Sequence, residues 1–135
     1  MARSSAREAA MQLIFEHIFG GDGDENTLGA MIEYTPNARD DAYITRVTQG
    51  VYENQAQIDA KISAFLQDWT IERLARVDLS ILRLAVYELL YCDDIPSAVT
   101  INEAVELARK FSTPEAGGFI NGVLGNLNRS LVREQ

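Results

Sequence analysis

Reactive side chains are few in this sequence and stand apart from one another. His17 is its one histidine and Cys92 its one cysteine. His17 falls on the apolar edge of an amphipathic stretch, where a packing or surface role is expected. Cys92 follows a long apolar run with no histidine near it, which fits an inert structural thiol better than a nucleophile. No glycine-rich phosphate loop, no CxxC and no zinc-ligand spacing occurs. Asp22, Asp24, Asn26 and Glu33 take positions 1, 3, 5 and 12 of a calcium loop, but Thr27 replaces the turn glycine. Ala30 occupies position 9, and the residues from Asn26 onward read as helix, so a solvated acidic turn is expected. The residues point to no catalysis, no cofactor and no metal.

Side chains suited to binding are better represented. Arg3 and Arg7 stand at the start of a helical stretch, where positive charge opposes the macrodipole at a cost of a few tenths of a kcal/mol. Stability does not account for them; surface tolerance does, or contact with phosphates, which free N–H groups at a helix start also attract. Arg109 and Lys110, just ahead of Thr113-Pro114, mark a second place favourable to anions, where Gly117-Gly118 lets another backbone approach closely. Phe111 and Phe119 bracket it, either as core aromatics of a helical hairpin or as faces on which unpaired RNA bases stack. Phe15, one step off the buried stripe of the first helix, carries the same ambiguity. Asp78 reads first as a helix cap, and an exposed carboxylate there can also meet a basic partner protein. Glu88 lies inside an apolar helix, so an arginine or a backbone donor must meet it. Its role is structural.

The elements that carry these residues are helical throughout. Ala6, Ala9, Ala10, Leu13, Ile14 and His17 share one stripe of a first helix, with Ser5 and Glu8 as its capping box. Glycines and aspartates at 20–24 end it, and a short helix follows over 26–34. A third runs over 38–54 with Tyr43, Ile44, Val47 and Val51 inward, and a fourth over 58–66. Thr70 caps a short turn reaching Arg76, and Asp78 caps a central helix over 79–91. That helix is apolar on nearly every side, so other helices must wrap it. Asp93-Asp94-Ile95-Pro96 stops it. Thr100 and Glu103 form a capping box for a helix over 101–111, and Pro114 opens the last one. The last helix buries Ile120, Val123, Leu124, Leu127 and Leu131. The expectation is an all-α fold of about seven helices.

With 135 residues and 47% apolar content, the chain can bury one real core. No secretory-type leader and no run of roughly 18 apolar residues appears, so no membrane span is expected. A lone cysteine fits a reducing cytoplasm. Twelve basic residues against twenty acidic ones give a net charge of -8, which leans towards a protein partner. Local placement of the basic side chains can still build a patch for nucleic acid.

The segment Arg76-Val77-Asp78-Leu79-Ser80-Ile81-Leu82-Arg83-Leu84-Ala85-Val86-Tyr87-Glu88-Leu89-Leu90, followed by Ile101-Asn102-Glu103-Ala104-Val105-Glu106-Leu107-Ala108 and Phe119-Ile120-Asn121-Gly122-Val123-Leu124, resembles the NusB family of bacterial transcription antitermination factors. Ala6-Arg7-Glu8-Ala9-Ala10-Met11-Gln12-Leu13 extends the likeness to nearly the whole chain. The resemblance implies two small helical bundles packed as one domain, about residues 1–68 and 69–135. It implies a factor without enzymatic activity that joins NusE, a small-subunit ribosomal protein, on single-stranded boxA RNA. With NusA and NusG, such a complex lets RNA polymerase pass terminators, notably in ribosomal RNA operons. On the same likeness Arg3 and Arg7 match the arginine-rich start of a first helix that touches RNA, Phe111, Glu115 and Phe119 match the RNA and partner surface, and Phe15 and Asp78 match positions of the NusE contact. Lys110, next to Phe111, joins the RNA-binding candidates. Ser4, Ser5 and Gly118 stand where basic or long polar side chains are common, which implies weak RNA binding without the partner. An apolar partner face left empty can close on a second copy, giving a homodimer. Two other readings are a helical adaptor for proteins alone, and a NusB-like appendage of RNA cytosine methyltransferases; the chain is too short for the enzyme domain itself.

Overall fold

The wrapped helix expected near the middle of the chain is the axis of the structure. The computed structural model describes residues 4–18, 38–67 and 69–134, and among these there are six α-helices, one 3-10 turn and no strand. The order is α1 (Ser4–Ile18), α2 (Ala38–Glu53), α3 (Gln55–Ala64), the 3-10 turn (Ile71–Arg73), α4 (Arg76–Tyr91), α5 (Ser97–Phe111) and α6 (Ala116–Glu134). Arg3, the glycine-rich turn, the helix expected over 26–34 and the acidic pattern of 22–33 lie outside the described residues.

Every residue of α4 from Leu79 to Glu88 is buried, because α1, α2, α3, α5 and α6 all pack on it. Its few polar groups are satisfied within the protein. Ser80 donates its hydroxyl to the Arg76 carbonyl at 2.8 Å, and Arg83 grips Asp59 of α3 through two bonds of 2.9 Å. On α1 the small side chains of Ala6, Ala9 and Ala10 are fully buried, which lets its neighbours approach closely. His17 leaves the stripe and stacks on Tyr52 of α2, with ring centroids 4.0 Å apart. Where α2 meets α4, a Cβ on Gly50 would come within 2.1 Å of the Tyr87 ring, so only glycine fits there.

The caps differ from expectation, and for one reason. Asp78 does not cap α4: the helix starts at Arg76 behind an extended Ala75, and Asp78 sits in its first turn. Its carboxylate there complements the helix dipole and accepts the Ser112 hydroxyl at 2.6 Å. Thr100 and Glu103 form no capping box, since α5 starts four residues earlier than expected, at Ser97 after Pro96. Thr100 turns instead to Glu88, and Glu103 accepts the Ser4 hydroxyl of α1. Pro114 lies in the turn before α6, which starts at Ala116. Thr70 makes no side-chain cap. Tertiary partners have taken the side chains that local rules assigned to helix ends.

Glu88 is the centre of the core. Its carboxylate, 1% exposed, accepts Arg7 Nε at 3.1 Å and Arg7 Nη2 at 2.9 Å. Thr100 Oγ1 donates to it at 2.7 Å, and the Tyr43 hydroxyl donates to its other oxygen. Four donors from α1, α2 and α5 therefore converge on one residue of α4. Burial pulls the Arg7 pKa down, but the Glu88 hydrogen bond and charge outweigh it and leave the pKa raised. Burial, then the Glu88 charge, push the Tyr43 phenol well above its ordinary 10.0.

Two outcomes follow from this centre. Glu88→Ala is expected to cost about 3–5 kcal/mol in urea denaturation, because it strands a buried guanidinium. Arg7→Met with Glu88→Leu is expected to recover most of that loss, and a single variant as stable as the parent would contradict the assignment. The raised Tyr43 pKa means the folded state keeps a proton that the unfolded chain releases near pH 10.0. Its contribution is thus full below that pH and falls as pH rises above it. Tyr52 and Tyr87 are raised too and act in the same direction. Denaturation midpoints at about pH 8 and about pH 11 should fall less steeply in Tyr43→Phe than in the parent.

Candidate functional site

The turn joining α5 to α6 brings most of the expected binding residues together. Arg109 and Lys110 occupy the last turn of α5, where positive charge complements the helix dipole. Both are exposed and both are paired. Lys110 Nζ reaches Glu8 of α1 at 2.5 Å, and Arg109 meets Glu106 at 2.6 Å. Lys110 also lies 5.4 Å from the centroid of the Phe111 ring. Together with Ser4 and Glu103, these side chains line a surface hollow of about 440 Å³ in which acidic and basic groups alternate.

On the other side of the turn, Glu115 is exposed and Phe119 half-buried. The Phe119 ring packs on the core with one edge and lines a cleft of about 310 Å³ with the other. Trp69, Arg73, Leu74, Asp78 and Glu115 line the same cleft. The bond from Ser112 to Asp78 ties this turn to the first turn of α4. Phe111 is half-buried against the core. Both phenylalanines pack against the core and leave part of their surface exposed.

The expected residues do not all converge. Arg7 is 2% exposed and committed to Glu88, so it has no surface to offer a phosphate, and its place in an RNA contact is withdrawn. Phe15 lies half-buried on α1, a different element from the α5–α6 turn. Gly117 is buried beside Val105 and Arg109, whereas a Cβ on Gly118 would meet nothing within 4 Å. No close backbone approach inside the chain requires Gly118. Sequence reasoning passed over two residues of this surface, Trp69 and Glu8. Trp69 is the one tryptophan and is 55% exposed, a signal that composition alone offered. Glu8 read as a capping residue and gave no sign of its partner 102 positions away.

No cluster of three metal-ligating side chains occurs among the described residues, and Cys92 is buried. No helix among them is long and apolar enough to cross a membrane. The surface of this turn combines aromatic edges, cations held by carboxylates, and a cleft between two helix starts.

Known proteins agree with this description. The model of the NusB family matches residues 4–129, and the chain belongs to that family. A transcription antitermination protein NusB of Acetivibrio thermocellus is 46% identical over 128 residues, covering 94% of this chain and 88% of the relative. One from Natranaerobius thermophilus is 46% identical over 136 residues, covering 97% of each. A solved NusB of T. maritima superposes with a TM-score of 0.82 at 38% identity, over 94% of this chain and 90% of that one. The fold also matches, at a TM-score of 0.81 and 24% identity, a chain in a crystal structure of antitermination factors NusB and NusE with double-stranded RNA, over 95% of this chain and 96% of that one. The chain is thus a transcription antitermination factor and not an enzyme.

Proposed function

We propose that this factor works in the cytoplasm by joining NusE on single-stranded, boxA-type RNA, so that RNA polymerase passes terminators, above all in ribosomal RNA operons. NusA and NusG complete the larger assembly. The observation that carries the reading is the grouping of Lys110, Phe111, Glu115 and Phe119 on one turn, fastened to Asp78 through Ser112. The half-exposed rings take unpaired bases, Lys110 takes a phosphate, and Arg3 adds a second cation at the chain start. Asp78 and Phe15 face NusE. Arg7 serves indirectly, by fixing α1 against the core. The mechanism is assembly: two weak RNA binders form one surface, and each raises the affinity of the other by the same factor.

Anisotropy of a labelled boxA RNA, with and without NusE, tests this. Binding should tighten at least tenfold when NusE is added, and equal affinity in both conditions would sink the composite surface. Phe119→Ala is expected to weaken the ternary complex by about 1–3 kcal/mol, the worth of one stacked base. Capture unchanged in both Phe119→Ala and Lys110→Ala removes the assignment of this turn.

The pairing of Lys110 with Glu8 adds a sharper expectation. A phosphate must draw Lys110 away from a carboxylate whose side chain is only 14% exposed. Glu8→Gln should therefore strengthen RNA binding several-fold and steepen its salt dependence by up to about 0.7 in the log–log slope. A protein-only adaptor, which the net charge of -8 favours, predicts no salt-dependent RNA binding in either form.

A further inference from the structure

The cleft beside the α5–α6 turn has a wall that the proposed RNA surface does not use. Trp69 lies just before the 3-10 turn, outside any helix, is 55% exposed, and lines the same cleft as Phe119. A tryptophan left that open forgoes much of the burial free energy that its size offers. Packing alone does not explain it.

We propose that Trp69 and Phe119 hold one unpaired nucleobase of the RNA between them, with Arg73 at its phosphate and Glu115 at its hydrogen-bonding edge. This rests on the RNA reading above and adds to it a base pocket and two residues, Trp69 and Arg73. Three kinds of occupant fit an aromatic cleft of about 310 Å³, and its polar lining separates them. An aliphatic side chain of a partner would bury the carboxylate of Glu115 without a donor, and that of Asp78 with only the Ser112 hydroxyl to meet it, which is costly. A cationic side chain would satisfy those carboxylates but would meet Arg73 in the same wall. A nucleotide uses all of them: two π-faces for its ring, carboxylate acceptors for its N–H groups, and a cation for its phosphate.

The state of Arg73 strengthens the choice. Arg7, Arg46, Arg83, Arg109 and Lys110 are each paired with a carboxylate, so a phosphate reaching any of them must break an ion pair. Arg73 is exposed and has no carboxylate within ion-pair distance among the described residues. It meets a phosphate at no such cost.

The test uses the full chain with NusE and the same boxA RNA. With 5-fluorotryptophan incorporated into this chain alone, fluorine NMR reads the single site at residue 69. Because Asp78 lines the same cleft and, in this reading, faces NusE, the resonance can shift when NusE is added, but it should move further, to a new position, when RNA follows. Trp69→Ala should weaken RNA binding about 5- to 150-fold with NusE affinity unchanged, while Trp69→Phe keeps most of it. One abasic position in the RNA should abolish the difference between the parent and Trp69→Ala. A resonance that reaches its final position with NusE alone and does not move again when RNA is added assigns the cleft to a protein side chain and overturns the proposal. So does unaltered RNA affinity in Trp69→Ala at unchanged thermal stability, with Phe119→Ala still defective; the RNA reading itself then stands. If the parent and NusE together fail to bind the RNA, both readings fall.

Discussion

One carboxylate holds this bundle together. Glu88 sits where α1, α2, α4 and α5 meet, and each of the other three helices reaches it with a hydrogen-bond donor. An ionised group at that depth is tolerated only while its partners stay in place, since desolvation is expensive and is offset by geometry alone. The same dependence makes the arrangement specific. Leucines in these positions would pack at many angles, whereas a two-pronged guanidinium, a phenol and a hydroxyl meet one carboxylate at a single mutual orientation.

That orientation governs the surface. Arg7 fixes the rotation of α1, and the rotation decides that Ser4 and Glu8 face α5, where they meet Glu103 and Lys110. On α4, the position that buries Glu88 leaves Asp78 in the first turn, within reach of Ser112. The edge of the binding turn is thereby set from two directions, by α1 on one flank and by α4 on the other. A cation deep in the core and a cation at the rim thus belong to one construction, although only the second touches the outside.

The helical class and the wrapped α4 were legible because an apolar run without a polar face has no other stable home. The need of Glu88 for a donor was legible too, from the cost of an unpaired charge. Which arginine answered it was not, because Arg7 lies 81 positions away. A clue was present all the same: Arg7, Ala10, Met11 and Ile14 repeat at the spacing of one buried face, and all four are buried. Reading Arg7 by its closeness to the helix start hid that phase. The caps failed in the same way, since Asp78, Thr100 and Glu103 obey local rules only until a tertiary partner outbids the backbone. At the candidate site, Lys110, Phe111, Glu115 and Phe119 came from the family likeness more than from spacing, and Trp69 was invisible to periodicity because it belongs to no helix.

The ion pairs on the outer turn bear on what the protein ignores. Lys110 and Arg109 each have a carboxylate within 2.6 Å, so their fields largely cancel a few ångströms out, and the net charge of -8 dominates at longer range. A polyanion approaching from solvent therefore meets net repulsion at a distance, and local attraction is left to the last few ångströms.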